Sequence, residues 1–226
     1  MPKLKMTLPR AFAGLLEKGD VEGLKMALLA CDPDARGGST KQTALAYNNL
    51  PDEVARWLVE RGADISAQDG YGLSPLHARA GMYHGQVDIL LDLGADPDTR
   101  DGKGETPLHK AADVGNVDAV ERLLQHGARS DVTNFAGLTP LMKGLAGCEN
   151  VKIVEMTQIA ERLVADAKAR DFTHPQTQIE AYVTAIGGRF ETYRSRFDPE
   201  TLDETSDALD KLYALFKVAP VPRQMA

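Results

Sequence analysis

The chain has 226 residues, with 26 Lys plus Arg against 33 Asp plus Glu, a net charge of −7 and a pI of about 5.3. Apolar residues make up 43%, enough for a packed core, and aromatics only 6%. This acidity disfavours nucleic acid or an anionic membrane as the main partner and would steer a basic protein toward the chain.

Cys31 and Cys148 are far apart in sequence and form no Cys-x-x-Cys, so no disulfide is expected and a reducing compartment suits the chain. Lys3 and Lys5 are followed by no unbroken apolar run, so the start does not read as a signal peptide. No stretch reaches the apolar length needed to span a membrane. These points set a cytoplasmic expectation, and a composition rich in Ala, Asp and Arg suits a bacterium.

Met1–Thr7 reads as a loose lead-in. Pro9–Lys18 and Val21–Ala30 form a helix pair split by Gly19-Asp20, within an N-terminal unit at 8–37 that ends in a first finger at Gly37-Gly38-Ser39. The next unit, 38–68, has Thr43-Ala44-Leu45-Ala46, a short turn at Asn48–Pro51, and Trp57, Leu58 and Val59 in its second helix. Units 69–100 and 101–133 are regular. A unit at 134–172 starts in the same way, but Leu141 to Leu163 is seven residues longer than Leu108 to Leu123, with the excess around 147–157. Either the inner helix extends there or a loop bulges out. The remainder, 173–226, starts a helix at His174-Pro175, is broken by Gly187-Gly188, and starts again at Asp198-Pro199-Glu200.

Two markers recur in phase. Ser74-Pro75-Leu76-His77, Thr106-Pro107-Leu108-His109 and Thr139-Pro140-Leu141-Met142 are spaced by 32 and 33 positions. Gly62-Ala63-Asp64, Gly94-Ala95-Asp96 and Gly127-Ala128-Arg129 keep the same spacing. Ser or Thr is a good N-cap, and Pro suits the first helical position because its missing N–H had no partner anyway. Gly94 and Gly127 end helices in a left-handed conformation. A unit of this kind is a helical hairpin that cannot bury its apolar face alone, so copies stack.

At these residues the chain resembles the ankyrin repeat family, over about Gly19–Ala146. The resemblance implies an all-α solenoid of about five helix-pair repeats with β-hairpin fingers, plus a C-terminal helical cap or module. It also implies a concave face that binds proteins, a hydrogen-bonding role for His77 and His109 between finger and helix, and an Ala where this chain has Arg79. An Arg there must snorkel, pair or meet a ligand.

No catalytic constellation can be assembled by spacing. There is no Gly-x-Ser-x-Gly, P-loop or dinucleotide fingerprint, and His84, His126 and His174 have no partner at metal-ligand spacing. The chain is therefore expected to be no enzyme and to need no cofactor or metal. The acids from Asp198 to Asp210, interleaved with Leu202 and Leu209, read as the solvated face of an amphipathic helix.

A partner would meet residues the fold does not demand. On the fingers these are Gln68, Tyr71, Arg100, Lys103, Phe135 and Leu138; on the inner helices, Tyr47, Arg79, Met82, Tyr83, Lys110, Asp113, Val114 and Lys143. Tyr71, Met82, Tyr83 and Phe135 are the expected anchors, on one face. The reading is a non-enzymatic protein-binding protein, in its narrower form an inhibitor or immunity-type partner of a basic toxin or enzyme. The alternative is an assembly or regulatory adaptor whose C-terminal helices dock a second partner or dimerise.

Overall fold

A computed structural model describes residues 4–222. In chain order the elements are β1 (Lys5–Thr7), α1 (Phe12–Lys18), α2 (Val21–Leu28), β2 (Cys31–Gly37), β3 (Gln42–Thr43), α3 (Asp52–Glu60), α4 (Pro75–Ala80), α5 (Asp88–Asp92), α6 (Pro107–Val114) and α7 (Val117–Gln125). They continue with α8 (Pro140–Gly147), α9 (Ile153–Ala169), α10 (Gln176–Tyr193) and α11 (Pro199–Phe216). The inner helices α4, α6 and α8 pack in a row, and the outer helices α7 and α9 pack behind them. One apolar core runs through all of them, from Phe12 to Phe216.

Each inner helix starts as its motif requires. The Ser74, Thr106 and Thr139 side chains accept from the backbone N–H of the third helical residue, and Pro75, Pro107 and Pro140 sit at the starts. Gly94 and Gly127 have φ of 90° and 87°. The fingers before them share one construction. The carboxylate of Asp69 accepts from Tyr71 N–H and Leu73 N–H, that of Asp101 from Lys103 N–H and Glu105 N–H, and the amide oxygen of Asn134 from Ala136 N–H and Leu138 N–H. Among the described residues only the first finger carries a strand ladder, with β2 antiparallel to β3.

Four local expectations need correction. Lys5–Thr7 is not loose: β1 pairs in parallel with β2, Lys5 opposite Cys31 and Thr7 opposite Arg36. Met1–Lys3 lie outside the described residues. The inner helix of the second unit is a single 3-10 turn, Ala44–Ala46, because Pro51 begins the next helix too soon for a longer one. The seven extra residues neither extend α8 nor bulge. They form a 3-10 turn at Asn150–Lys152 and lengthen the outer helix, so that α9 has 17 residues against 9 in α7.

The fourth correction is that Gly187-Gly188 break nothing. α10 runs through them, since a buried glycine can be tolerated in a helix that packs closely on a neighbour. A Cβ on Gly187 would lie 1.7 Å from the Tyr213 hydroxyl of α11. α10 lies on α8 and α11 on α9, so this pair continues the two helical rows as one further layer.

Candidate protein-binding face

The fingers and inner helices form the candidate face. Its fingers are joined across repeats by backbone hydrogen bonds, Gly70 N–H to Thr40 O and Phe135 N–H to Lys103 O. A side-chain ladder runs beside them at the repeat period. Arg36 donates to Gln68 O at 2.5 Å, Gln68 to Arg100 O at 3.2 Å and Arg100 to Thr133 O at 2.9 Å. Gln68 and Arg100, expected as contact residues, are therefore engaged in holding adjacent fingers together.

Tyr71 and Phe135 stand out from this ladder, 71% and 77% exposed. They occupy the fingers on either side of the one bearing Lys103, which is also exposed. Phe135 rests one face against Gly104, where a Cβ would come within 2.8 Å of the ring. Neither phenyl ring is used by the core.

On the inner helices the structure gathers charges that sequence order separates. Lys110 Nζ lies 2.8 Å from the Asp101 carboxylate and 2.5 Å from that of Glu105. Lys143 Nζ lies 3.0 Å from Asp113 and 4.0 Å from Glu105, and Asn134 donates to Glu105 at 3.3 Å. Burial alone would raise the Asp101 and Glu105 pKa values. The Lys110 ammonium outweighs it and holds both below the usual carboxylate range, helped at Asp101 by backbone N–H groups. The Lys110 ammonium is in turn pushed above its ordinary value, since its two carboxylates outweigh its own desolvation. Lys110 is thus paired with Asp101 and Glu105, and Lys143 with Asp113, while Val114 beside them is half-buried.

Met82 and Tyr83, 40% and 45% exposed, follow α4, whereas Tyr71 precedes it. The expected anchors therefore lie in two groups at the two ends of the inner helices. Tyr83 lies over Gly115 of the next repeat, and its hydroxyl donates to the Glu155 carboxylate of the lengthened α9 at 2.5 Å. Tyr47 packs edge-to-face on Phe12 with ring centroids 5.1 Å apart. Leu138 is half-buried, and its carbonyl accepts from His109.

Arg79 is not on the face at all. It is 1% exposed. Its Nε donates to Leu45 O at 2.9 Å and one Nη to Gln86 O at 3.4 Å, while the other Nη has no partner. Leu45 lies in the shortened turn, where helical partners for carbonyls are missing, and Arg79 supplies one. Burial lowers its pKa to about 10, which leaves it charged.

His77 and His109 are architectural. His109 Nδ1 accepts from Thr106 N–H at 3.1 Å, so its Nε2 carries the proton and donates to Leu138 O at 3.0 Å. His77 repeats this between Ser74 N–H and Glu105 O. Burial holds His109 neutral, with a pKa of about 4. Met142 replaces the histidine in the next copy, and the ring of His174 meets Thr139 Oγ1 at 3.2 Å instead. Among the described residues no group of His, Cys, Asp and Glu could hold a metal, and no helix is long and apolar enough to cross a membrane.

Sequence reasoning missed Lys152 and Glu155 beside Tyr83 and the exposed Val151. The seven-residue excess was the only signal pointing to them.

Family models agree with this architecture. A model described as ankyrin repeats (3 copies) matches residues 76–162, and one described as ankyrin repeats (many copies) matches 43–91. No curated relative matches the sequence. Repeats of this kind make up protein–protein interaction modules. With matches spanning 43–162, more than half of its length, and a row of capped inner helices at the matching period, the chain belongs to the ankyrin repeat family.

Proposed function

We propose that the protein is a non-enzymatic binding protein whose partner docks across the finger tips, with Tyr71 and Phe135 as anchors. The observation that carries this reading is their exposure, 71% and 77%, beside Gln68 and Arg100, which are tied into the stack. Aromatic anchors concentrate binding energy because they bury a large area with little loss of rotamer freedom. Lys103 and the ion-paired Lys110, Asp113 and Lys143 would line the contact beside them.

Negative charge is densest along α11, at exposed Glu200, Asp203, Glu204 and Asp207, whereas on the outer helices of the repeats Glu53, Asp88, Asp92 and Glu121 pair with Lys25, Arg122, Arg56 and Arg162. A basic partner is therefore attracted by the long-range field, while contact at the fingers is apolar. An inhibitor or immunity-type role toward a basic toxin or enzyme is the narrower form of this reading, with a cytoplasmic location in a bacterium. It is supported by the net charge of −7 and by the absence of a catalytic constellation in the sequence.

Affinity purification with the wild type and a Tyr71→Ala/Phe135→Ala variant tests the reading. The wild type is expected to retain one partner stoichiometrically and the variant to lose it. Retention by both, or by neither, would count against the finger face. The adaptor alternative, in which the C-terminal helix pair docks a second partner, is supported by the exposed Val151 and Tyr193 at that pair.

A further inference from the structure

The fingers repeat one backbone turn, and the first finger fills it differently. Gly72, Gly104 and Gly137 end the turns of the later fingers with φ of 79°, 73° and 77°. The residue in the same place on the first finger is Lys41, at φ 57°. Hydrogen bonds between adjacent fingers fix the match: Gly70 N–H donates to Thr40 O, just before Lys41, and Phe135 N–H to Lys103 O, just before Gly104. A residue with a Cβ is strained in this left-handed conformation. Lys41 has room for its side chain because Gly70 leaves open the place that the Phe135 ring takes over Gly104. No contact within the protein repays the strain, since the Lys41 ammonium has no partner among the described residues.

Along the row of tips, exposed Lys41, Tyr71, Lys103 and Phe135 alternate cation and aromatic ring. Charge here is opposite in sign to that of the whole chain. Neither ammonium has a carboxylate partner among the described residues. The guanidinium groups of Arg36 and Arg100 donate to backbone carbonyls, which leaves their charge uncancelled. Against these four cations stand Asp69, which accepts from backbone N–H groups, and the buried Asp101 and Glu105, which share Lys110. Positive charge therefore exceeds negative at the tips. The other finger acids, Asp32, Asp34, Asp64, Asp96, Asp98 and Asp131, lie at the far ends of the finger legs, next to the outer helices.

Building on docking at the fingers, we infer that the tips select an acidic, apolar segment of the partner, in which carboxylates alternate with large apolar side chains. The apolar side chains pack on Tyr71 and Phe135, and the carboxylates pair with Lys41 and Lys103. Simpler segments fit worse. A uniformly basic one meets the unanswered cations, and a uniformly apolar one leaves two ammonium groups desolvated without partners. The strained turn at Lys41 is what adds the second ammonium to the row. A run of phosphates is opposed by Asp69, which stands between the two lysine-bearing fingers, and by the acids at the finger bases. The acids along α11 face basic surface elsewhere on the same partner, so long-range approach and docking use different parts of it.

The test is fluorescence anisotropy of labelled, terminally blocked peptides titrated with the full-length protein. One peptide alternates Glu with Phe, a second replaces each Glu by Lys, and a third replaces each Phe by Ala; an oligothymidylate is the fourth probe. The Glu/Phe peptide is expected to bind saturably, about tenfold tighter than the other three. Lys41→Glu/Lys103→Glu, at exposed positions, is expected to weaken the Glu/Phe peptide about tenfold and to strengthen the Lys/Phe peptide, a reversal that loss of fold cannot produce. Tyr71→Ala/Phe135→Ala is expected to abolish binding of both Phe peptides. No saturable binding of the Glu/Phe peptide, equal binding of the Lys/Phe peptide or the oligothymidylate by the wild type, or affinities unmoved by the charge reversal overturns the inference. If it is overturned while Tyr71→Ala/Phe135→Ala still loses a stoichiometric partner in affinity purification, the finger face stands and only the acidic, apolar specificity falls.

Discussion

The Nε of Arg79 donates to Leu45 O at 2.9 Å, across the interface between the second and third repeats. The shortened inner turn leaves this carbonyl without a helical donor, and the guanidinium takes the place of the missing backbone. Arg79→Ala removes the donor and opens a cavity, two of the mechanisms behind large destabilisation. A loss of about 3 kcal/mol is expected from urea unfolding. Arg79→Lys should recover less than half of it, because an ammonium cannot span both Leu45 O and Gln86 O. An Ala variant as stable as wild type would sink this account.

Lys110 neutralises two carboxylates that are themselves nearly out of solvent, Asp101 at 7% and Glu105 at 5% exposure. Lys110→Met leaves them to face each other, with only Lys143 at 4.0 Å from Glu105. About 3 kcal/mol should be lost at neutral pH. Because both carboxyls are held below their ordinary range, the stability they contribute is present above roughly pH 4 and is lost as pH falls through their folded values. Denaturant unfolding of Lys110→Met at pH values spanning this window should show a flatter acid limb than wild type.

His109 works in the same direction from a different cause. Burial sets its folded pKa at about 4, against 6.5 unperturbed. The unfolded chain therefore takes up a proton first as pH falls, and stability that is complete above about pH 6.5 declines toward pH 4, by about 2 kcal/mol near pH 5. His77 and His174, also lowered by burial, add to this decline. His109→Gln should reduce the proton uptake on unfolding in this window, measured from the pH dependence of the urea midpoint. An unchanged slope would show that His109 is not held neutral.

Gly187 is needed for contact, not for a bend. Its place in α10 is helical, so Gly187→Ala should raise helix propensity by up to about 1 kcal/mol if space allowed. The Tyr213 hydroxyl 1.7 Å from the new Cβ does not allow it. A net destabilisation of about 1–3 kcal/mol is expected, and Gly187→Ala/Tyr213→Phe should recover part of it. Thermal unfolding of the single and double variants reads both.

The repeat period and the inner-helix starts were legible because each is local, whereas the role of His77 and His109, which reach carbonyls 28 and 29 residues on, came from the resemblance. A capping Ser or Thr, a Pro at the first position and a Gly at positive φ act within one turn of chain, and the 32–33-residue spacing repeats them. Exposure at the candidate site was legible only in part. Tyr71 and Phe135 stand in solvent because finger tips lie outside the stack. Arg79, in a helix position that in other repeats faces the neighbour, was drawn inward by a defect thirty-four residues earlier.

The sequence by itself determined the family, the helix pairs and where the regular pattern ends. Tertiary packing decided the rest. It decided that Lys143 pairs with Asp113 and reaches toward Glu105, that Gly187-Gly188 stay helical, that the seven extra residues lengthen an outer helix, and that Val151, Tyr193 and Arg196 share one hollow. Each of these depends on atoms between 26 and 45 positions apart or on surface left over after the core has formed, and no periodicity or local propensity records either.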